Sequence, residues 1–380
     1  MKAHRRGVHG FRVGTVFGIE LRIDWSVAVI FWLLVWGLAT ISFPALAGGY
    51  TGAEYWIVGF FTTVVFLASL LAHELSHSIV ANRRDIKVRD ITLWLFGGVS
   101  SLEGEARTPR SDFEIAIAGP ATSIVLGFVF GAFAILLYAI GTAHLAIAAF
   151  GWLGVINLVL AFFNLMPAAP LDGGRVLRAW LWHRTGDHDA AALSAARAGH
   201  VFGWVLVGLG LLEFMAGATV GGIWFMLLGW FLLSASRSEE MHTVVVHALH
   251  DVRVRDVMTP SPVTAPADTS IAELLDHFVL VHHCSAFPLV DRDGRVVALV
   301  TLRHCRSVPV AKRASTVARD VATPIADVPI AAPDELLVPV LQRAAESDGR
   351  ILVMSEGHLA GIITPTDITR ALHYHGVPTR

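Results

Sequence analysis

Nothing constrains the fold of this chain more than its apolar runs, several of which are long enough to cross a bilayer. About 20 consecutive apolar residues span the hydrocarbon core as a helix. No water is present there to satisfy backbone groups, so a chain with several such runs must fold as a helical bundle. The runs lie at Trp25–Leu46, Tyr55–Asn82, Ile115–Ile140, Ala146–Met166, Gly199–Ala216 and Val220–Ala235, the last two being short. Of 380 residues 54% are hydrophobic and only 16% charged, and almost all of the apolar excess precedes Ser236. The remainder has the balance of a soluble domain. Ahead of the first run, Gly10–Asp24 alternates apolar and polar residues, the pattern of a hairpin or strand pair at the membrane surface. The basic start MKAHRRGVHGFRVG leads into this strand-like segment rather than into an apolar run, so no cleavable signal peptide is expected.

Charge sets the expected orientation. Lys2, Arg5 and Arg6 precede the first run, Arg83 and Arg84 follow the second, Arg175, Arg178 and Arg184 follow the fourth, and Arg237 follows the sixth. The alternate connections, Ala47–Glu54, Gly141–His144 and Gly217–Ala218, carry no Lys or Arg. The positive-inside rule therefore puts both termini in the cytoplasm, with an even number of spans. A net charge of −2 gives no sign of a nucleic-acid partner. The two cysteines, Cys284 and Cys305, stand at no metal-ligand spacing and suit a reducing compartment.

The second run carries FLASLLAHELSHSIVANRR, which contains the pattern H-E-x-x-H at His73, Glu74 and His77. On a helix, positions four apart share a face, so both imidazoles could reach one zinc ion. Glu74 would stand close enough to take a proton from a water activated there. Such a pattern also arises by chance in soluble helices. In a membrane span, though, three ionisable or liganding side chains are costly unless they have a function. His77 lies six residues before Arg83, which places the site roughly 10–15 Å inside the cytoplasmic boundary at about 1.5 Å per residue.

Zinc hydrolases hold the metal by three protein groups and leave a fourth position for water. The fourth run ends in FFNLMPAAPLDGGRVLR, where Pro167, Pro170 and Gly173-Gly174 break the helix around Asp172. Irregular backbone at this depth is tolerated where protein or a cavity satisfies it. Asp172 is the preferred third ligand. The competing reading is a solvated turn after the helix, and Glu103 and Glu105 are rival ligands in a polar loop without fixed geometry.

Taken together, HELSH at His73–His77, FGGVSSLEGEA at Phe96–Ala106, IAGP at Ile117–Pro120 and NLMPAAPLDGGR at Asn164–Arg175 resemble the site-2 protease (M50) intramembrane metalloproteases. The resemblance covers roughly the first 240 residues. It implies one zinc ion held by His73, His77 and Asp172, with Glu74 as general base. It assigns Asn164 to the substrate or the oxyanion, a role suited to an amide donor, against the plainer role of a helix–helix hydrogen bond. It also implies a hairpin over Gly97–Arg110 that pairs with an unwound substrate strand.

The C-terminal part holds an internal repeat, RDVMTP at Arg255–Pro260 and RDVATP at Arg319–Pro324. A helix-like stretch follows each copy (Ile271–Val281; Leu336–Ser347), then two short strands around a turn (Ala286–Val300; Ile351–Ile363). This resembles a tandem CBS pair of α/β class, which commonly binds adenine nucleotides. The second copy ends GIITPTDI, with Thr364 and Asp367 at the phosphate and ribose positions, while in the first Thr301 matches but His304 replaces the acid. A purely structural dimerisation module is the competing reading.

The expected organisation is therefore an α-helical polytopic membrane protease domain of about six transmembrane helices over 1–240, followed by a cytoplasmic CBS pair over 241–380 (repeats 252–308 and 317–376). The expected function is an intramembrane zinc metalloendopeptidase in the plasma membrane. It would cut membrane-protein substrates within or at the edge of a transmembrane helix, in regulated intramembrane proteolysis modulated by nucleotide, with homodimerisation through the CBS domains. The alternatives are a CBS-regulated transporter or channel, and an inactive, binding-only relative. Transport has no need of Glu74 as a base, and none of the ligands or the base is missing.

Overall fold

The computed structural model describes residues 10–94, 97–103, 106–344 and 349–374. The basic residues Lys2, Arg5 and Arg6, the rival ligand Glu105, and the last two positions of the second expected repeat lie outside them, as does the side chain of Glu103. The chain forms two compact units that divide between Thr243 and Val244.

The first unit is built on helices. α1 (Ser26–Gly37) continues through a π-helical turn (Leu38–Ser42) into α2 (Phe43–Leu46). α3 (Gly52–Arg83) starts at a capping box in which the Thr51 side chain accepts from the Glu54 N–H and Glu54 accepts from the Thr51 N–H. α4 (Pro109–Ala139) starts the same way on Thr108 and Ser111, with a proline in its first turn. Then follow α5 (His144–Asn164), α6 (Asp172–Thr185), α7 (His188–Met215) and α8 (Thr219–Leu249). Among the described residues six helical segments are long and apolar enough to cross a membrane: Ser26–Leu46, α3, α4, α5, α7 and α8. Large apolar side chains such as Trp32, Phe61, Phe128 and Trp224 face outward, as hydrocarbon surroundings allow.

Several boundaries differ from those read in the sequence. α4 begins six residues before Ile115, α7 begins at His188 rather than Gly199, and α8 runs on past Ala235 to Leu249. The apolar run marks where a helix meets lipid, whereas the helix itself continues through polar residues. α6 has no counterpart among the expected elements.

β1 (Gly10–Val16), β2 (Ile19–Asp24), β3 (Lys87–Trp94) and β4 (Gly97–Glu103) form one sheet in that order, with β2 and β3 parallel and the other pairs antiparallel. The β1–β2 turn has positive φ at both Phe17 (51°) and Gly18 (81°), the backbone of a tight hairpin. Ile19, Val88 and Ile91 pack with Ala81 of α3 and Ile115 of α4, which seats the sheet where α3 ends and α4 begins. The second hairpin is therefore Lys87–Glu103 and not Gly97–Arg110, because Thr108–Arg110 already serves as the cap and first turn of α4.

The second unit holds two further sheets. β5 (Thr259–Pro260) pairs with β12 (His358–Ile363), in the sheet that also contains β10 (Ile330–Ala331) and β11 (Ile351–Ser355). In the other, β6 (Ala265–Pro266), β7 (Ala286–Val290) and β8 (Val296–Thr301) are completed by β9 (Thr323–Pro324). Each RDVxTP segment thus lends its last two residues to the sheet of the other repeat. The exchange covers an edge that would otherwise present unpaired backbone groups.

Candidate metal centre

His73 and His77 lie on one face of α3, one turn apart and both buried. Asp172, the first residue of α6, turns its carboxylate onto them: Oδ2 is 3.2 Å from Nε2 of each histidine, and the two Nε2 atoms are 3.3 Å apart. Ligand atoms about 2.0–2.1 Å from a tetrahedral zinc ion lie about 3.3 Å from one another. The triangle therefore matches one face of a zinc tetrahedron, and His73, His77 and Asp172 are the one such ligand cluster among the described residues.

The far ring nitrogen of His77 fixes its tautomer. His77 Nδ1 lies 2.6 Å from the Ile115 carbonyl, which can only accept, so Nδ1 carries the proton and Nε2 keeps its lone pair for a metal. His73 Nδ1 lies 2.9 Å from the buried Ser123 hydroxyl. Glu74 accepts a hydrogen bond from the Gly98 N–H at 3.2 Å, where β4 begins. A Cβ on Gly98 would lie 2.4 Å from Glu74 Cγ, so only glycine lets the strand come this close.

A cavity of about 800 Å³ opens on these groups, lined also by Leu70, Trp94, Asn164, Phe231 and Glu239. Asn164 shares this wall, and its amide donates to the Leu160 carbonyl at 3.1 Å. α6 is held by ion pairs that the sequence reading did not find. Asp112, fully buried in the first turns of α4, accepts from Arg178 at 2.8 and 2.7 Å and from Arg175 at 3.1 Å. Three and six residues after Asp172, these arginines tie the third ligand to α4. An acid near a helix start together with a later arginine pair was the available signal.

The family model for peptidase family M50 matches residues 61–142 and 138–206, and that for the CBS domain matches 254–310 and 318–374. Zinc metalloprotease Rip3 of Mycobacterium tuberculosis is 46% identical over 362 residues, covering 95% of this chain and 92% of the relative. The chain belongs to peptidase family M50. A second relative, zinc metalloprotease sll0528 of Synechocystis, is 37% identical over 79% of this chain and 78% of its own length. Zinc metalloprotease MJ0392 of Methanocaldococcus jannaschii is 28% identical and covers 96% of each chain. This M50 chain is an integral membrane protein whose C-terminal part is a CBS pair.

Within the CBS pair Thr364 and Asp367 come together, but Asp367 is buried and both its oxygens are engaged. Oδ2 accepts from the Thr364 N–H at 2.9 Å and the Thr364 hydroxyl at 2.6 Å, and Oδ1 accepts from Thr259 of β5 at 2.9 Å. The carboxylate thus bonds the exchanged strand to the second repeat. In the first repeat His304 and Thr301 cap each other across the start of a short helix. Cys305 is buried, and burial pushes its thiol pKa up.

Proposed function

We propose that this chain is an intramembrane zinc metalloendopeptidase of the site-2 protease type, cutting membrane-tethered proteins within or beside a transmembrane helix. The observation that carries the reading is the convergence of His73, His77 and Asp172 in an 800 Å³ cavity among membrane-spanning helices, with Glu74 on the same helix as the two histidines. The relatives' names support zinc as the ion. When bound, zinc would polarise the scissile carbonyl and make water nucleophilic at neutral pH. Glu74 takes the proton of the attacking water and delivers it to the leaving amine. The Gly98 N–H fixes one of its oxygens and leaves the other for this transfer. Asn164, on the cavity wall, has an amide to offer the substrate.

β4 is the outer strand of its sheet, and its second residue, Gly98, bonds Glu74. An unwound substrate segment added to that edge would meet the base in extended form. Arg83 and Arg84 at the end of α3, and Arg237 in α8, support a cytoplasmic location for that end of the helices, for the CBS pair and for both termini. The membrane is then the plasma membrane and the setting regulated intramembrane proteolysis. Dimerisation through the CBS pair belongs to the same reading.

A chelator is expected to abolish cleavage of a transmembrane substrate by the purified full-length protein. Stoichiometric zinc should restore it, with about one ion per chain. Cleavage that survives complete removal of metal would end the protease reading.

The CBS pair modulates access by binding an adenine nucleotide, with Thr364 and Asp367 as its contacts. Since Asp367 is engaged by Thr259 and Thr364, nucleotide would exchange those bonds for ribose hydroxyls and so alter the hold on β5. Titrating ATP or AMP against the cleavage rate should give a saturable change. A flat response in the intact chain removes nucleotide from the account and leaves the CBS pair as a structural module.

A further inference from the structure

α4 carries Asp112, Ile115, Gly119 and Ser123 at spacings of three and four, so they share one side of the helix. Each serves the ligand triangle. Asp112 holds Arg175 and Arg178 of α6, the helix that begins with Asp172. The Ile115 carbonyl holds His77 Nδ1, and the Ser123 hydroxyl lies on His73 Nδ1.

Gly119 stands between the last two. A Cβ built on it would lie 2.2 Å from His77 Nε2 and 2.5 Å from His73 Nε2. Imidazole nitrogens bind zinc at about 2.0–2.1 Å, so a side chain at 119 would crowd the two ligand nitrogens and the space beside them that an ion would use. What this glycine makes room for differs from what other glycines of the helix make room for. On the same helix, a Cβ at Gly127 would strike Leu158 and the Gly154 carbonyl of α5, whereas the nearest atoms at Gly119 are the rings of the two histidines. Glycine inside a helix is unfavourable relative to alanine, which points to a need for the space.

We propose that Gly119 reserves the metal position and that Ser123 orients the His73 ring, making α4 the element that positions the metal centre. The inference rests on the zinc site proposed above, and its test separates the two. Full-length wild type, Gly119→Ala and Ser123→Ala are purified in detergent, stripped of metal and titrated with zinc against a competing chelator. Thermal unfolding of the metal-free forms is recorded alongside.

Gly119→Ala is expected to weaken zinc binding at least about 100-fold, beyond what loss of an outer partner costs. Without metal the two rings must shift to admit the methyl, so the metal-free form is expected to fold with its unfolding temperature lowered by only a few degrees. Ser123→Ala is expected to weaken zinc binding by about 10–100-fold without lowering the metal-free unfolding temperature. Wild-type zinc affinity in Gly119→Ala overturns the role of Gly119. A metal-free Gly119→Ala protein that does not fold also overturns it, because that result marks a packing constraint unrelated to the ion. Wild-type affinity in Ser123→Ala overturns the role of Ser123. If wild type itself holds no zinc, the metal centre fails before either variant is compared.

Discussion

Glu74→Gln is expected to slow cleavage by about 10²–10⁴-fold, the usual contribution of a positioned acid–base group, while zinc content stays at the wild-type level. Glutamine keeps the shape of the side chain and can still accept from the Gly98 N–H, now at 3.2 Å from Glu74 Oε1. The contact between β4 and α3 should therefore persist, and only the capacity to hold a proton is lost. Glu74 is not one of the three groups that converge on the candidate metal position, so removing its charge takes no ligand away. Paired measurements of zinc per chain and cleavage of a transmembrane substrate decide the matter. Loss of both zinc and cleavage would make Glu74 a structural part of the ligand cluster. Retention of both would leave the chain without its base, and the catalytic assignment would fall.

Asp112→Ala is expected to destabilise the membrane unit by about 3–5 kcal/mol, the range for breaking a buried ion pair from one side. Asp112 is fully buried and takes charge-assisted hydrogen bonds from both Arg175 and Arg178. Its removal takes from both guanidinium groups the carboxylate that they share. The larger functional consequence runs through α6, because both arginines lie within two turns of Asp172. A loosened α6 start should lower zinc affinity even though no ligand has changed. Asp112→Asn keeps one acceptor and should fall between wild type and alanine in unfolding temperature and in affinity. If Asp112→Ala unfolds and binds zinc as wild type does, the ion cluster has no part in placing the third ligand.

The legible parts of the site were those written in local spacing. His73, Glu74 and His77 needed only the helical repeat, and Asp172 stood out because prolines and glycines interrupt an apolar run beside it. Asp112, Ile115, Gly119 and Ser123 were not legible in the same way. Ile117–Pro120 was noticed as a motif, but its glycine has a purpose only once two imidazoles separated from it by more than 40 residues are seen to face it. The Ile115 contact uses a backbone carbonyl, which leaves no trace in residue identity. The ends of α7 and α8 were misjudged because hydropathy reports the surroundings of a segment and not its backbone bonding. His188–Ala198 and Arg237–Leu249 are helical yet polar enough to end an apolar run.

By itself the sequence determined that this chain spans a membrane several times, carries an H-E-x-x-H pair within one span and ends in two related α/β repeats. These are consequences of short-range chemistry: apolar length against bilayer thickness, side chains repeating with the helical turn, and a segment occurring twice. Only the tertiary structure decided which carboxylate faces the histidines, which glycine leaves room between them and which repeat receives each exchanged strand. Those outcomes depend on packing between helices and strands far apart in the chain. There the energy depends on distances of a few tenths of an ångström between atoms whose neighbours no local pattern specifies.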